Sequence, residues 1–161
     1  MKLTKHEEYG LRCLLRLAEQ GVGGTMTIPG MSEREGISEA YVGKLLRMLR
    51  QAGFVKAERG KIGGYALARS ADEILVGDVM NELDSPMFEG GFCESHSGQA
   101  GTCVRSTDCS LRGLWRAVQF AVDEVLGNTT LADLLCHEPK ASVWANGVEA
   151  SGSLAGRPSQ N

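Results

Sequence analysis

The sequence is missing several things. No apolar run approaches the ~20 residues that a membrane-spanning helix needs, and the segment from Met1 to Glu7 lacks the apolar core of a signal peptide, so a cytoplasmic chain with no membrane partner is expected. No C-x2-4-C knuckle of the kind zinc sites use is present. The five cysteines are odd in number and unevenly spread, which argues against a secreted disulfide scaffold. A phosphate-cradling loop, a nucleophile–base pair and a substrate-pocket signature are all missing, so the chain is not read as an enzyme. Positive net charge is missing too: 17 Lys and Arg stand against 20 Asp and Glu, a formal −3 that speaks at first against a polyanionic partner.

The 161 residues, 42% hydrophobic and 23% charged, are enough for one ordinary globular domain with a small appendage. Both awkward totals are averages over unlike parts. Residues 1–69 hold 12 Lys and Arg against 7 Asp and Glu, a net of +5; the remaining 92 hold 5 against 13, a net of −8. A basic half is joined to an acidic half, and a basic face is the electrostatic footprint of phosphate binding. The cysteines divide likewise. Cys13 and Cys136 stand alone, while Cys93, Cys103 and Cys109 share one Gly- and Ser-rich stretch.

Local signals order the basic half. Thr4 with Glu7 three residues on forms a capping box, and Leu11, Leu14, Leu15 and Ala18 follow at helical spacing until Gly21-Val22-Gly23-Gly24. A short helix begins near Thr27, with Pro29 in its first turn, and ends at Gly36. Ser38 caps a third helix with an apolar stripe of Tyr41, Val42, Leu45, Leu46 and Leu49, which leaves Lys44, Arg47 and Arg50 to solvent. Residues 54–58 and 65–68 read as a hairpin around the basic turn Arg59-Gly60-Lys61-Ile62-Gly63-Gly64. The fold class is therefore mainly α with a small β-hairpin wing, a winged helix-turn-helix over residues 1–70. A reading helix of this kind enters the major groove, and the wing tip reaches the backbone or the minor groove.

The acidic half, residues 71–136, begins with a linker helix over 72–83. A loop over 85–109 follows, of a length that is usually functional or disordered. Ser110 then caps a long helix over 110–127. Its residues Leu111, Trp115, Val118, Val122 and Val125 alternate spacings of four and three, the pattern of a helix–helix seam, which suits a homodimer whose paired readers need paired half-sites. A short helical turn lies at residues 130–135. Residues 137–161 are small, polar and aperiodic and read as a disordered tail, with Trp144 unexplained. Three cysteines in one loop of a cytosolic chain favour metal or redox chemistry, and soft thiolates suit iron–sulfur clusters or zinc. Three cysteines leave a fourth coordination position open, and free thiols or an opportunistic disulfide are the plainer alternative.

The Met1-Lys2-Leu3-Thr4 start, the segment Ser38 to Leu49, the Arg-Gly…Gly-Gly-Tyr wing between Val55 and Tyr65, and the triple cysteine followed by a long helix and Thr-Thr-Leu-Ala-Asp-Leu-Leu resemble the iron–sulfur cluster regulators of the IscR/NsrR type over about residues 1–136. The resemblance implies a homodimeric bacterial transcription regulator, acting as a repressor, that binds an imperfect inverted repeat in double-stranded DNA and responds to iron, cluster status, nitric oxide or redox state. It implies Cys93, Cys103 and Cys109 as cluster ligands. The IscR type places a histidine three residues after its last cysteine; here that position is Arg112, which cannot ligate. Some NsrR-like members use a carboxylate on the first helix of the partner subunit, and the similar position is Glu8; His96 in the loop is its rival and His6 a distant third. A [2Fe-2S] cluster is expected, with [4Fe-4S] the alternative. Ser38, Glu39, Ala40, Gly43 and Lys44 are expected to face bases, and Tyr41, Arg47, Arg50, Arg59, Gly60 and Lys61 to contact phosphate or groove. Gly43 and Lys44 differ from the acidic–amide pair of the IscR type, so its operator does not transfer. A cluster-free thiol–disulfide switch on the same body is the alternative function.

Overall fold

In the first helix, α1 (Lys5–Ala18), the Thr4 hydroxyl accepts from the Glu7 N–H at 3.3 Å and the Glu7 carboxylate accepts from the Thr4 N–H at 2.7 Å. The capping box read from the sequence is thus closed on both sides. Gly10, Cys13, Leu14 and Leu17 form the buried stripe of this helix. Helix α2 (Ile28–Glu35) starts from Thr27, whose hydroxyl accepts from the Gly30 N–H at 3.2 Å, and stops at Gly36, held at φ +66°. A left-handed residue is what a helix stop requires, and glycine adopts it without strain. Helix α3 (Glu39–Gln51) buries Val42, Leu45, Leu46 and Leu49; Ser38 occupies its N-cap position without a side-chain bond.

Strands β1 (Val55–Glu58) and β2 (Gly64–Leu67) pair antiparallel in the register Val55↔Leu67 to Glu58↔Gly64. The hairpin is tied near its turn end, because Met26 and Tyr65 exchange N–H···O bonds of 2.9 and 2.8 Å, which joins the segment before α2 to the start of β2. Gly64 makes this approach possible, since a Cβ there would lie 2.5 Å from the Met26 carbonyl oxygen. The second half of the Gly63-Gly64-Tyr65 signal is therefore a packing requirement.

The structure is a computed structural model, and it describes residues 3–60, 63–84 and 108–135 together with Ser97, Gln99, Gly101, Cys103 and Arg105. Cys93, His96, Lys61, Cys136, Trp144, the tail over 137–161 and most of the loop over 85–109 lie outside the described residues. Within them the acidic half departs from the sequence reading at two points. The single helix anticipated over 72–83 is a 3-10 turn (Ala71–Glu73), then extended Ile74 and Leu75, then α4 (Val76–Leu83). The cause is tertiary: Val76 N–H donates to the Thr129 carbonyl and Leu131 N–H to the Ile74 carbonyl, both at 2.8 Å, with Leu75 bridged to Thr130. These pairings hold Ile74 and Leu75 extended against the helical pattern. The long helix α5 (Ser110–Gly127) takes Cys109 as its N-cap, one residue before Ser110. Thr130 and Asp133 then cap each other reciprocally at the start of α6 (Leu131–Leu135).

The core gathers Leu14 and Leu17 of α1, Met31 of α2, Val42, Leu45, Leu46 and Leu49 of α3, Phe54 and Val55 at the base of the wing, Ile74, Val79 and Leu83, and it is completed by Leu131 of α6. Among the described residues, helix α5 contributes no buried residue of its own, and it packs along α4. No helix among the described residues is long and apolar enough to cross a membrane.

Candidate nucleic-acid interface and ligand residues

Helices α1 and α2 are locked by a buried carboxylate. Glu35 accepts from Arg12 Nε at 2.8 Å and from Arg16 Nε at 2.6 Å, while Arg12 also donates to the Glu35 carbonyl at 2.7 Å. Burial alone would raise the carboxyl pKa, but the hydrogen bonds and charges of Arg16 and Arg12 outweigh it and hold the group below the ordinary carboxylate range. Arg12 thus turns to Glu35 and not to Glu8 one turn away, which leaves the Glu8 carboxylate exposed. Next to this lock, burial pushes the Cys13 thiol up to about 12, with Glu35 adding to the rise and Arg12 opposing it. Cys13 is a core residue and a neutral thiol.

With α1 and α2 fixed, α3 presents its polar face. Ser38, Glu39, Ala40, Lys44, Arg47 and Arg50 are exposed, as are Arg59 and Gly60 at the wing tip. An open groove of about 420 Å³ runs along this face, lined by Ile28, Ala40, Gly43, Lys44, Arg47, Arg50 and Tyr65. Three cations, two small residues and an aromatic ring thus share one concave surface beside the wing. The groove brings together five of the predicted contact residues, Ala40, Gly43, Lys44, Arg47 and Arg50, and adds Ile28 and Tyr65. Tyr65 carried a signal in its Gly-Gly-Tyr setting; Ile28 carried none beyond its place at a helix start.

Tyr41 sits elsewhere. It is half-buried, its ring 5.5 Å from that of His6 and edge-on to Tyr9 at 6.0 Å, and Tyr9 in turn lies under the Arg12 guanidinium at 5.4 Å. Its contacts run to α1, not to the groove. The same seam holds Lys44, whose Nζ lies 2.9 Å from His6 Nε2.

Of the cluster-ligand candidates, Cys103 and Cys109 are unbonded, half-exposed thiols, and Cys109 stands at the start of α5. Among the described residues no three potential metal ligands come together.

A family model described as Rrf2, iron-dependent transcriptional regulator, matches residues 3–137. The chain belongs to the Rrf2 family. Protein rrf2 of Nitratidesulfovibrio vulgaris is 37% identical over 138 residues, which cover 84% of this chain and 87% of that protein. The HTH-type transcriptional regulator IscR of Sodalis glossinidius is 33% identical over 86% of this chain and 81% of its own length. The solved structure of CymR, the global cysteine regulator of Bacillus subtilis, superposes with a TM-score of 0.70 at 31% identity, over 86% of this chain and 98% of that one. This Rrf2 protein is accordingly a winged-helix, DNA-binding transcription regulator and not an enzyme.

Proposed function

We propose that the protein is a homodimeric repressor that reads an imperfect inverted repeat in double-stranded DNA, with an operator affinity set by an iron–sulfur cluster. The observation that carries the DNA part is the groove: Lys44, Arg47 and Arg50 of α3 line it together with Tyr65 of strand β2, and Arg59 is exposed at the wing tip. Ser38, Glu39, Ala40, Gly43 and Lys44 address base edges, and Arg47, Arg50, Arg59, Gly60 and Lys61 address phosphate. Tyr41 serves from behind by packing the start of α3 on α1. Helix α5 supplies the dimer seam. It spans 18 residues, buries none of them, and leaves Leu111, Leu114 and Trp115 exposed at 53%, 52% and 38%. An apolar stripe so open on so long a helix fits a second copy.

Cys93, Cys103 and Cys109, with Glu8 of the partner subunit, form the donor set in this reading, and His96 is the rival fourth ligand. The described members suit it: two unbonded, half-exposed thiols, and a carboxylate released from its neighbouring arginine. Soft thiolates with one oxygen donor match a cluster, [2Fe-2S] before [4Fe-4S]. When bound, such a cluster supplies a redox-active centre whose single non-thiolate ligand is the position most easily released. Protein purified without oxygen is expected to be coloured and to contain iron, and either Glu8→Ala or His96→Ala is expected to change its visible spectrum. Colourless, iron-free protein under those conditions refutes the cluster.

A second reading rests on the same half-exposed thiols and on the likeness to a protein described as a cysteine regulator. Here Cys93, Cys103 and Cys109 form disulfides on oxidation. Iron analysis together with thiol counting separates the two.

A further inference from the structure

We infer that His6 is a positioning residue for DNA reading, which holds the Lys44 ammonium at the edge of the α3 groove so that the lysine meets DNA already ordered. This rests on the reading of α3 as the helix that faces bases.

The geometry is specific. Lys44 Nζ lies 2.9 Å from His6 Nε2. A lysine ammonium has three donors and no acceptor, so the imidazole must be the acceptor and must contribute its Nε2 lone pair. One ammonium proton is engaged and two are left for a base edge or a phosphate. Lys44 is also a lining residue of the groove, so this anchored amine belongs to the DNA-facing surface. The imidazole is itself braced, with its ring against Tyr41 at 5.5 Å and Tyr41 in turn against Tyr9 at 6.0 Å. The chain Tyr9–Tyr41–His6–Lys44 therefore runs from the half-buried α1–α3 seam out to the groove edge.

The physical value of the arrangement is entropic. A free lysine has four rotatable bonds to immobilise when it binds a fixed acceptor, and ordering it beforehand removes part of that cost from the association step. Arg47 and Arg50 line the same groove from α3, and their guanidinium forks need less ordering per bond formed. Lys44 is the cation on this face that gains most from a brace.

The test is a double-mutant cycle on the full-length chain purified anaerobically. The probe is a labelled duplex enriched by the wild-type protein from a randomised double-stranded library. His6→Phe keeps a ring against Tyr41 and removes the acceptor. It is expected to weaken binding roughly two- to tenfold, the range that ordering one long side chain spans. In the Lys44→Ala background, itself weakened, His6→Phe is expected to cause no further loss. His6→Gln, which restores an acceptor oxygen, is expected to recover part of the affinity, and its thermal midpoint guards against a folding artefact in the Phe variant. Equal losses in both backgrounds overturn the inference, because His6 then acts on DNA or on the fold without Lys44. Unchanged or tighter binding by His6→Phe overturns it as well. If the wild-type chain enriches no duplex, the reading of α3 fails and the inference falls with it; enrichment with an additive cycle refutes the role of His6 alone.

Discussion

Replacing Glu35 tests whether the α1–α2 lock holds the reading head together. The Glu35 side chain is 5% exposed and accepts one guanidinium bond on each oxygen, while its partners Arg12 and Arg16 remain 37% and 29% exposed. A net charge-assisted hydrogen bond contributes about 1.5–3 kcal/mol, so two set an upper range of about 3–6 kcal/mol. The arginines, being partly open, rehydrate once the carboxylate is gone, and Arg12 keeps its 2.7 Å bond to the residue 35 carbonyl. Both effects bring Glu35→Ala down to or just below the bottom of that range, a loss of about 2–3 kcal/mol. Glu35→Gln keeps one neutral acceptor and is expected to lose about 1–2 kcal/mol. Urea unfolding at neutral pH and fixed protein concentration measures both. A loss under about 0.5 kcal/mol for the alanine variant, which is the scale of an exposed ion pair, refutes the reasoning.

The same lock has an acid signature. The folded-state pKa of Glu35 lies below its unfolded value. The unfolded chain therefore takes up a proton first as pH falls, and the contribution of the lock is complete above the unfolded value of about 4.3 and lost as pH falls through the lower folded value. Wild-type stability is expected to decline across that acidic window, with a flatter decline in Glu35→Gln. Parallel acid limbs for the two proteins refute the assignment.

Three further outcomes follow from the site and the fold. Arg47→Ala and Arg50→Ala are each expected to reduce the slope of log affinity against log salt by about one on any duplex, and an unchanged slope removes that residue from the phosphate contacts. Trp115→Glu on α5 is expected to halve the mass seen by light scattering at micromolar protein, and an intact dimer moves the seam elsewhere. Gly64→Ala forces a Cβ to within 2.5 Å of the Met26 oxygen, so it is expected to cost about 1–3 kcal/mol in urea unfolding and to weaken DNA binding; an unchanged midpoint refutes the close approach.

The parts of this fold that were legible in the sequence were those set by neighbours a few residues away. The Thr4–Glu7 box, the Thr27 cap and the Gly36 stop rest on hydrogen bonds that span only a few residues, and the hairpin pairs segments joined by one short turn, so local sequence reports them directly. The failures are tertiary. Residues 74 and 75 carry a helical pattern, yet they pair with Thr129 to Leu131, far along the chain. Arg12 has a carboxylate one turn away on its own helix and instead takes Glu35 of α2, which burial makes the stronger partner. Tyr41 belongs by spacing both to the apolar stripe and to the face-on contacts, and only packing against Tyr9 and His6 decides between them. The basic residues of the groove were legible because charge on a helix opposite an apolar stripe has nowhere to go but outward. His6 as the partner of Lys44 was not, since nothing in either segment names the other.

The position of α1 gives the cluster reading its mechanical content. This helix packs on α2, α3, α4, β2 and α6, more elements than any other helix touches closely. Glu8 is exposed in its first turns; the next residue, Tyr9, ties the helix to Tyr41 of α3, and Arg12, one turn further along, ties it to α2. A ligand bond made to Glu8 therefore acts on a helix that cannot shift without disturbing the seam to α3. Helix α5 is coupled differently: its far end is pinned to the head through Thr129, Thr130 and Leu131, while its near end starts at Cys109. In a dimer joined along α5, Cys109 of one subunit and Glu8 of the other then report to the head by two separate routes, one through the long helix and one through α1. On the cluster reading proposed above, loss of either ligand would change the same quantity, the placement of two α3 helices relative to each other, and that placement is what an inverted repeat would measure.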